Sequence, residues 1–171
     1  DITEGVRFLV DRGIADPARV CIVGASYGGY AALAGAAFTP ELYACAVSVN
    51  GVADIPHMFG FIRKKAGDES DSYNAWKDLI GNPSDEDLAR FSPARSIATV
   101  RAPILLIHAT NDTVVPLSQS QNFSNLLREQ GKPHELMELP AEDHWLSSGD
   151  SRLKLLQTLE GFLAIHLHPK D

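Results

Sequence analysis

Clustered positive charge is nearly missing from this chain. Arg63-Lys64-Lys65 is its only basic run, and 15 Lys and Arg stand against 22 Asp and Glu, for a formal charge of −7. That balance argues against a nucleic-acid partner, and the one run reads as a solvated face. Also missing is any apolar stretch near the roughly 20 residues that span a bilayer, which argues against a membrane role. There are no repeats, low-complexity tracts or linkers. No cluster of metal-ligating side chains stands out, so nothing in the residues suggests a metal. Cysteine is scarce. Cys21 and Cys45 each sit in an apolar, strand-like run, where buried free thiols are expected rather than a disulfide. Neither an initiator methionine nor a signal peptide precedes Asp1, so the chain reads as a fragment or processed product and its targeting stays unread.

What is present is an ordinary globular composition, 44% apolar and 22% charged over 171 residues. That is enough for one domain with a substantial core. The chain is organised around Val20-Cys21-Ile22-Val23-Gly24-Ala25-Ser26-Tyr27-Gly28-Gly29-Tyr30. A short β-branched run ends in Gly-x-Ser-x-Gly and passes into small helix formers. This predicts strand, sharp turn and helix, with Ser26 at the tip of the turn beside the N–H groups of a helix start. Gly24 and Gly28 are expected to let strand and helix approach closely.

The rest of the chain repeats the rhythm. Ile2, Val6, Leu9 and Val10 have the spacing of an amphipathic helix face. Strands are predicted at 19–24, 43–50, 103–108 and 134–139, with helices following the first, third and fourth. Apolar strands linked through a helix are parallel, so the fold class is α/β, a three-layer αβα sandwich of about four parallel strands. Residues 51–100 break the rhythm as an irregular helical excursion within the single domain 1–171. Tyr73, Trp76, Lys77 and Ile80 lie there at helical spacing, Gly81-Asn82-Pro83 ends that helix, and Ser84 looks like the cap of the next. An excursion of this kind is where a pocket wall would be built. Tyr27, Val52, Tyr73, Trp76 and Val114 are its candidate lining, against the plainer expectation that Tyr73 and Trp76 simply pack in a core.

Three residues fall just past the carboxyl ends of predicted strands: Ser26, Asp112 and His144. Ligands bind outside that edge in open parallel sheets. A serine hydroxyl needs a neighbouring base, an imidazole can take its proton, and a carboxylate on the other ring nitrogen fixes the tautomer. His57, His108, His134, His166 and His168 compete for the role of base. His108 ends a strand only four residues before the acid, where it is expected to shape that loop; only His144 follows the acid on the next strand's loop.

With these motifs in order, the chain resembles the C-terminal part of the catalytic domain of the prolyl oligopeptidase family of serine peptidases, in its acylaminoacyl-peptidase and dipeptidyl-aminopeptidase branch. Asp16-Pro17-Ala18-Arg19-Val20, Gly24 to Tyr30, Asn111 to Pro116 and Glu142 to Ser147 carry the resemblance. It implies an α/β-hydrolase fold, an acyl-enzyme mechanism on oligopeptides, no cofactor, and an oxyanion site that uses the Tyr27 backbone N–H. Ala109 departs from the glycine usual there, at little cost if its φ is negative. The resemblance also implies that these four strands are the last four of eight, with an upstream oxyanion tyrosine and a β-propeller lying before Asp1. An esterase or lipase-like hydrolase is the competing enzyme reading. A catalytically incomplete fragment serving assembly or binding is the non-enzymatic one. In such a fold the 19–24 strand is central, so alone it would expose a pairing edge. The 171 residues in isolation should therefore recruit the missing half of the domain or self-associate. Sedimentation at micromolar concentration checks this, and a monodisperse, cooperatively unfolding monomer would contradict it.

Overall fold

The computed structural model describes residues 2–67, 69–81 and 84–168. Four strands form: β1 (Cys21–Ala25), β2 (Cys45–Val49), β3 (Ile104–Ala109) and β4 (His134–Leu139). They pair in parallel in the order β1-β2-β3-β4. Because spatial order equals chain order, every connection steps one strand sideways and returns to the same end. All four carboxyl tips therefore lie along one edge.

Helices cover both faces. α2 (Tyr27–Phe38) and α6 (Ser118–Glu129) pack Leu33, Ala36, Ala37, Phe123 and Leu127 against Ala46, Ile104 and Leu106. On the other face α7 (Gly149–His166) lays Leu155, Leu159 and Phe162 over Val47, Leu105, Ile107 and Leu139. Alternate residues of β2 and β3 thus feed two cores, and both strands are buried throughout, which explains their unbroken apolar runs. The outer strands differ. Val23 in β1 is 44% exposed. β4 leaves Glu135 and Glu138 in solvent, giving its alternating pattern.

One expectation about the sheet needs correction. Cys21 and Cys45 are register partners on neighbouring strands and form a disulfide, so they are not free thiols. The apolar run around each cysteine signals burial only, whereas the bond depends on the lateral register of two strands. The helix expected at the start of the chain is α1 (Ile2–Asp11). It forms, but none of its residues is buried, and Ile2, Phe8 and Leu9 face solvent.

Residues 51–100 contain α3 (Ile55–Ala66), α4 (Asp71–Leu79), α5 (Asp85–Arg90) and short tight turns at Pro93–Arg95 and Ile97–Thr99. Asp54, Ser70 and Ser84 cap the three helices through their side chains, satisfying first-turn N–H groups. The excursion is anchored by the buried Gln119, whose Oε1 accepts from Ala53 N and Asp54 N at 2.9 and 2.8 Å. The expected Asn82-Pro83 helix stop lies outside the described residues. Pro116 sits just ahead of α6, where Gln119 N and Ser120 N bond back to Pro116 O and Leu117 O in a tight lead-in turn.

Close approach at the first strand–helix turn falls on glycines 24 and 29 rather than 24 and 28. A Cβ on Gly24 would lie 2.1 Å from the Gly28 carbonyl oxygen, and one on Gly29 would lie 2.8 Å from Gly51 Cα. A Cβ on Gly28 meets nothing within 4 Å. Gly24→Ala should therefore destabilise the fold by about 1–3 kcal/mol or more through forced backbone displacement. Gly28→Ala should be neutral or stabilising by up to ~1 kcal/mol, as usual for alanine in a helix. Urea unfolding of the two variants checks the contrast.

Candidate active site

Ser26 stands between β1 and α2 with φ 56° and ψ −118°, a backbone conformation that side chains rarely adopt. Its N–H donates to Val49 O at 2.9 Å, tying the turn to the tip of β2. Tyr27 opens α2, so its N–H belongs to the first turn and has no acceptor within the helix.

Asp112 follows β3 in a tight loop, with its carboxylate fully buried. Oδ1 accepts from Val114 N and Val115 N, both at 2.8 Å. Oδ2 lies 2.6 Å from His144 Nδ1. An ionised carboxylate only accepts, so Nδ1 carries the hydrogen. In the neutral ring Nε2 is then the bare acceptor, and it lies 3.1 Å from Ser26 Oγ. Residues from three strand ends thus form one continuous hydrogen-bonded chain. The His144 ring also meets Trp145 edge-on at 5.1 Å.

The other histidines are engaged elsewhere. His134 Nε2 meets Ser124 Oγ at 2.9 Å, and His57 Nε2 is 3.5 Å from Ser118 Oγ. His166 and His168 border a groove with Asp16 and Arg19 at the amino ends of the strands. His108 is buried, with Nδ1 2.7 Å from Ser120 Oγ and Nε2 3.0 Å from Val115 O. The carbonyl can only accept, so Nε2 bears the hydrogen and Nδ1 accepts from the serine. His108 Nε2 also lies 3.6 Å from Asp112 Oδ2. Burial pushes the His108 imidazole below its ordinary value and outweighs the Val115 carbonyl and the Asp112 charge, which pull the other way. It is therefore a neutral strut that fixes residues 108–120, not a second cation beside the carboxylate.

Sequence reasoning passed over the two carboxylates before His144 as site-shaping groups. Glu142 is buried; Oε1 accepts from Asp143 N at 2.9 Å, and its backbone oxygen accepts from Asn111 N at 2.9 Å. The second bond joins the acid loop to the histidine loop. Asp143 Oδ1 accepts from Trp145 N and its Oδ2 from Ser147 Oγ, at 2.9 and 2.7 Å. The Ser151 hydroxyl and the Asp143 N–H hold Glu142 below the usual carboxylate range, and the Ser147 hydroxyl does the same for Asp143. The available signal was a Glu-Asp pair followed within a few residues by Ser147 and Ser148.

An apolar cavity of about 150 Å³ opens beside the turn, lined by Tyr27, Tyr30, Val52, Ile55, Met58, Trp76 and Ile80. Of the five residues expected in a pocket, Tyr27, Val52 and Trp76 meet here. Val114 borders a neighbouring groove on the far side of Met58 and Trp76. Tyr73 turns away, packing edge-on against Phe59 at 5.5 Å and lining a separate groove with Arg63 and Lys77. Among the described residues no group of three His, Cys, Asp or Glu could hold a metal ion. Ala109 is a strand residue outside the positive-φ set, so its Cβ adds no backbone strain.

Comparison with known proteins places this fold in a class. The chain superimposes on a puromycin-hydrolysing peptidase of Mycobacterium tuberculosis with a TM-score of 0.87 and 26% identity, over 99% of this chain and 25% of that one. An acylaminoacyl peptidase of Pyrococcus horikoshii gives 0.84 and 27%, over 100% and 28%. By sequence, dipeptidyl aminopeptidase BIII of Pseudoxanthomonas mexicana is 27% identical over 96% of this chain and 24% of its own length. The fold is that of the α/β-hydrolase peptidases. The prolyl oligopeptidase family matches residues 1–170, and the chain belongs to it. It spans about a quarter of the length of these relatives.

The neutrality of His108 has a measurable consequence. Its folded pKa is lowered, so the unfolded chain binds a proton that the folded state refuses. Its stability contribution is complete above the unfolded value of about 6.5 and is lost as pH falls below it. His108→Gln should therefore lose less stability than the parent protein between about pH 7 and about pH 5. Urea midpoints at the two pH values read the difference.

Proposed function

We propose that this chain is the nucleophile-bearing part of a serine peptidase that cleaves oligopeptides through an acyl-enzyme. Ser26 is the nucleophile, His144 the general base and acid, and Asp112 the group that holds the imidazole. As Ser26 Oγ bonds to the substrate carbonyl carbon, His144 Nε2 takes the hydroxyl proton. The oxyanion that forms is met by the Tyr27 N–H. Collapse breaks the C–N bond, the proton passes from Nε2 to the departing amine, and an ester to Ser26 remains. Water, deprotonated by the same nitrogen, then adds to the ester; the acyl–Oγ bond breaks, the proton returns from Nε2 to Ser26 Oγ, and the acid leaves.

One observation carries this reading: the bonds of 2.6 and 3.1 Å that link Asp112, His144 and Ser26 across three strand ends. The family relationship supports peptide substrates. The cavity beside Tyr27, with Val52, Met58 and Trp76 in its wall, offers no charged side chain and suits an apolar substrate side chain. The exposed edge of β1 suits pairing with further strands of the same polypeptide or with a second copy.

Ser26→Ala in the full-length chain should lower kcat by on the order of 10⁶ with the fold retained, and should abolish covalent labelling by a fluorophosphonate. Parallel assays with a peptidyl anilide and a simple ester divide peptidase from esterase: turnover confined to the ester would overturn the peptidase reading. Trp76→Ala should change the ratio of kcat/KM between large and small apolar P1 residues by about 10-fold or more. A lowered Tm with an unchanged ratio would make Trp76 a packing residue only.

A further inference from the structure

Asn50 occupies the tip of β2 and is 2% exposed. Its φ is 49°, in the left-handed region, which asparagine tolerates better than most residues. Its N–H donates to Ile107 O at 2.9 Å, the last rung between β2 and β3. Beyond it the β2 backbone leaves the ladder, and the next donor of β3, Ala109 N, would be left unpaired. Asn50 Oδ1 accepts that N–H at 2.8 Å. The other end of the amide, Nδ2, donates to the backbone oxygen of His144 at 3.1 Å. The amide's orientation follows from its neighbours, because an N–H demands the oxygen and a carbonyl demands the nitrogen.

We infer that Asn50 is a positioning residue for His144. It acts through the backbone of the histidine loop and rests on the role proposed for His144 above. The Ser26–His144 contact spans 118 residues of sequence, and its geometry depends on where the histidine loop sits over the sheet. Asn50 fixes that height from the end of β2, which with β3 is buried along its whole length. Three demands meet at one position: a left-handed backbone, a short acceptor for Ala109 N, and a donor for His144 O. Aspartate meets the first two and fails the third. Glycine meets the first alone. Glutamine places its amide one methylene too far.

Those differences define the test, made in the full-length chain with Asn50→Asp and Asn50→Gly. Both lose the bond to His144, so both should lose kcat on a peptidyl anilide by about 10- to 100-fold, as expected for a slight misplacement of a reacting group. KM should stay within about twofold, and fluorophosphonate labelling of Ser26 should slow by the same factor as kcat. Tm should fall in both, because Asn50→Gly leaves Ala109 N unpaired and Asn50→Asp sets a buried carboxylate against the His144 carbonyl oxygen. If Asn50→Asp keeps a rate near the parent's whatever its Tm, Asn50 is a structural residue and the inference falls. A loss confined to KM overturns it equally. Absence of Ser26 labelling in the parent enzyme would remove the proposed function and this inference together. Labelling of Asn50→Asp at the parent rate would remove the inference alone.

Discussion

The site depends on one buried carboxylate. Asp112 is shut off from water in a loop between two core elements, a costly place for a charge without partners. It has them on every side: two backbone N–H groups on Oδ1 and the His144 ring on Oδ2. Hydrogen bonds to an ionised group are stronger than neutral ones, and here they also carry geometry. The loop N–H groups fix the carboxylate, the carboxylate fixes the imidazole plane, and the imidazole faces the serine. His108 supports the arrangement from beneath by holding the Val115 carbonyl. Its neutrality matters, because a cation there would compete with His144 for Asp112.

Backbone strain gathers along the same edge. Among the described residues, the non-glycine positions with positive φ are Ser26, Asn50, Ala141 and Leu146, and each follows a strand tip or borders His144. Such conformations cost about 1–3 kcal/mol each unless the side chain suits them. They persist because the parallel sheet beneath is over-determined, with β2 and β3 packed from both faces. Rigidity and strain are complementary here: the doubly covered strands hold their tips so firmly that the chain leaves them at awkward angles, which turn functional groups toward one another.

Much of this was legible in the sequence because its signals are local. The elbow around Ser26, the four strands, and the Ser, Asp, His order depend on short-range patterns, and β2 and β3 advertise burial by unbroken apolar runs. What escaped depends on lateral register. Cys21 and Cys45 are 24 residues apart, and their bond follows only once the two strands are aligned. The tasks of Asn50 and Glu142 likewise appear only when neighbouring loops are placed beside each other. Tyr73 and Trp76 share a helix, yet one lines the apolar cavity and the other turns to Phe59; their spacing of three does not say which face looks inward. The elbow motif drew attention to Gly28, while the tighter contact falls on Gly29, set by the approach of α2 to the loop after β2.

The parallel connectivity also governs when the site comes into being. No two of its members are neighbours in the chain: 118 residues separate Ser26 from His144, and 32 separate Asp112 from His144. Parallel pairing closes large loops before any contact repays the lost chain entropy, so it forms late in folding. His144 reaches its place only after β4 has docked on β3, and β4 lies in the last third of the sequence. A nascent or half-folded chain thus displays Ser26 as an ordinary alcohol. The hydrogen-bonded chain from Asp112 through His144 to Ser26 closes only when β4 has docked, so this arrangement cannot precede the assembled sheet.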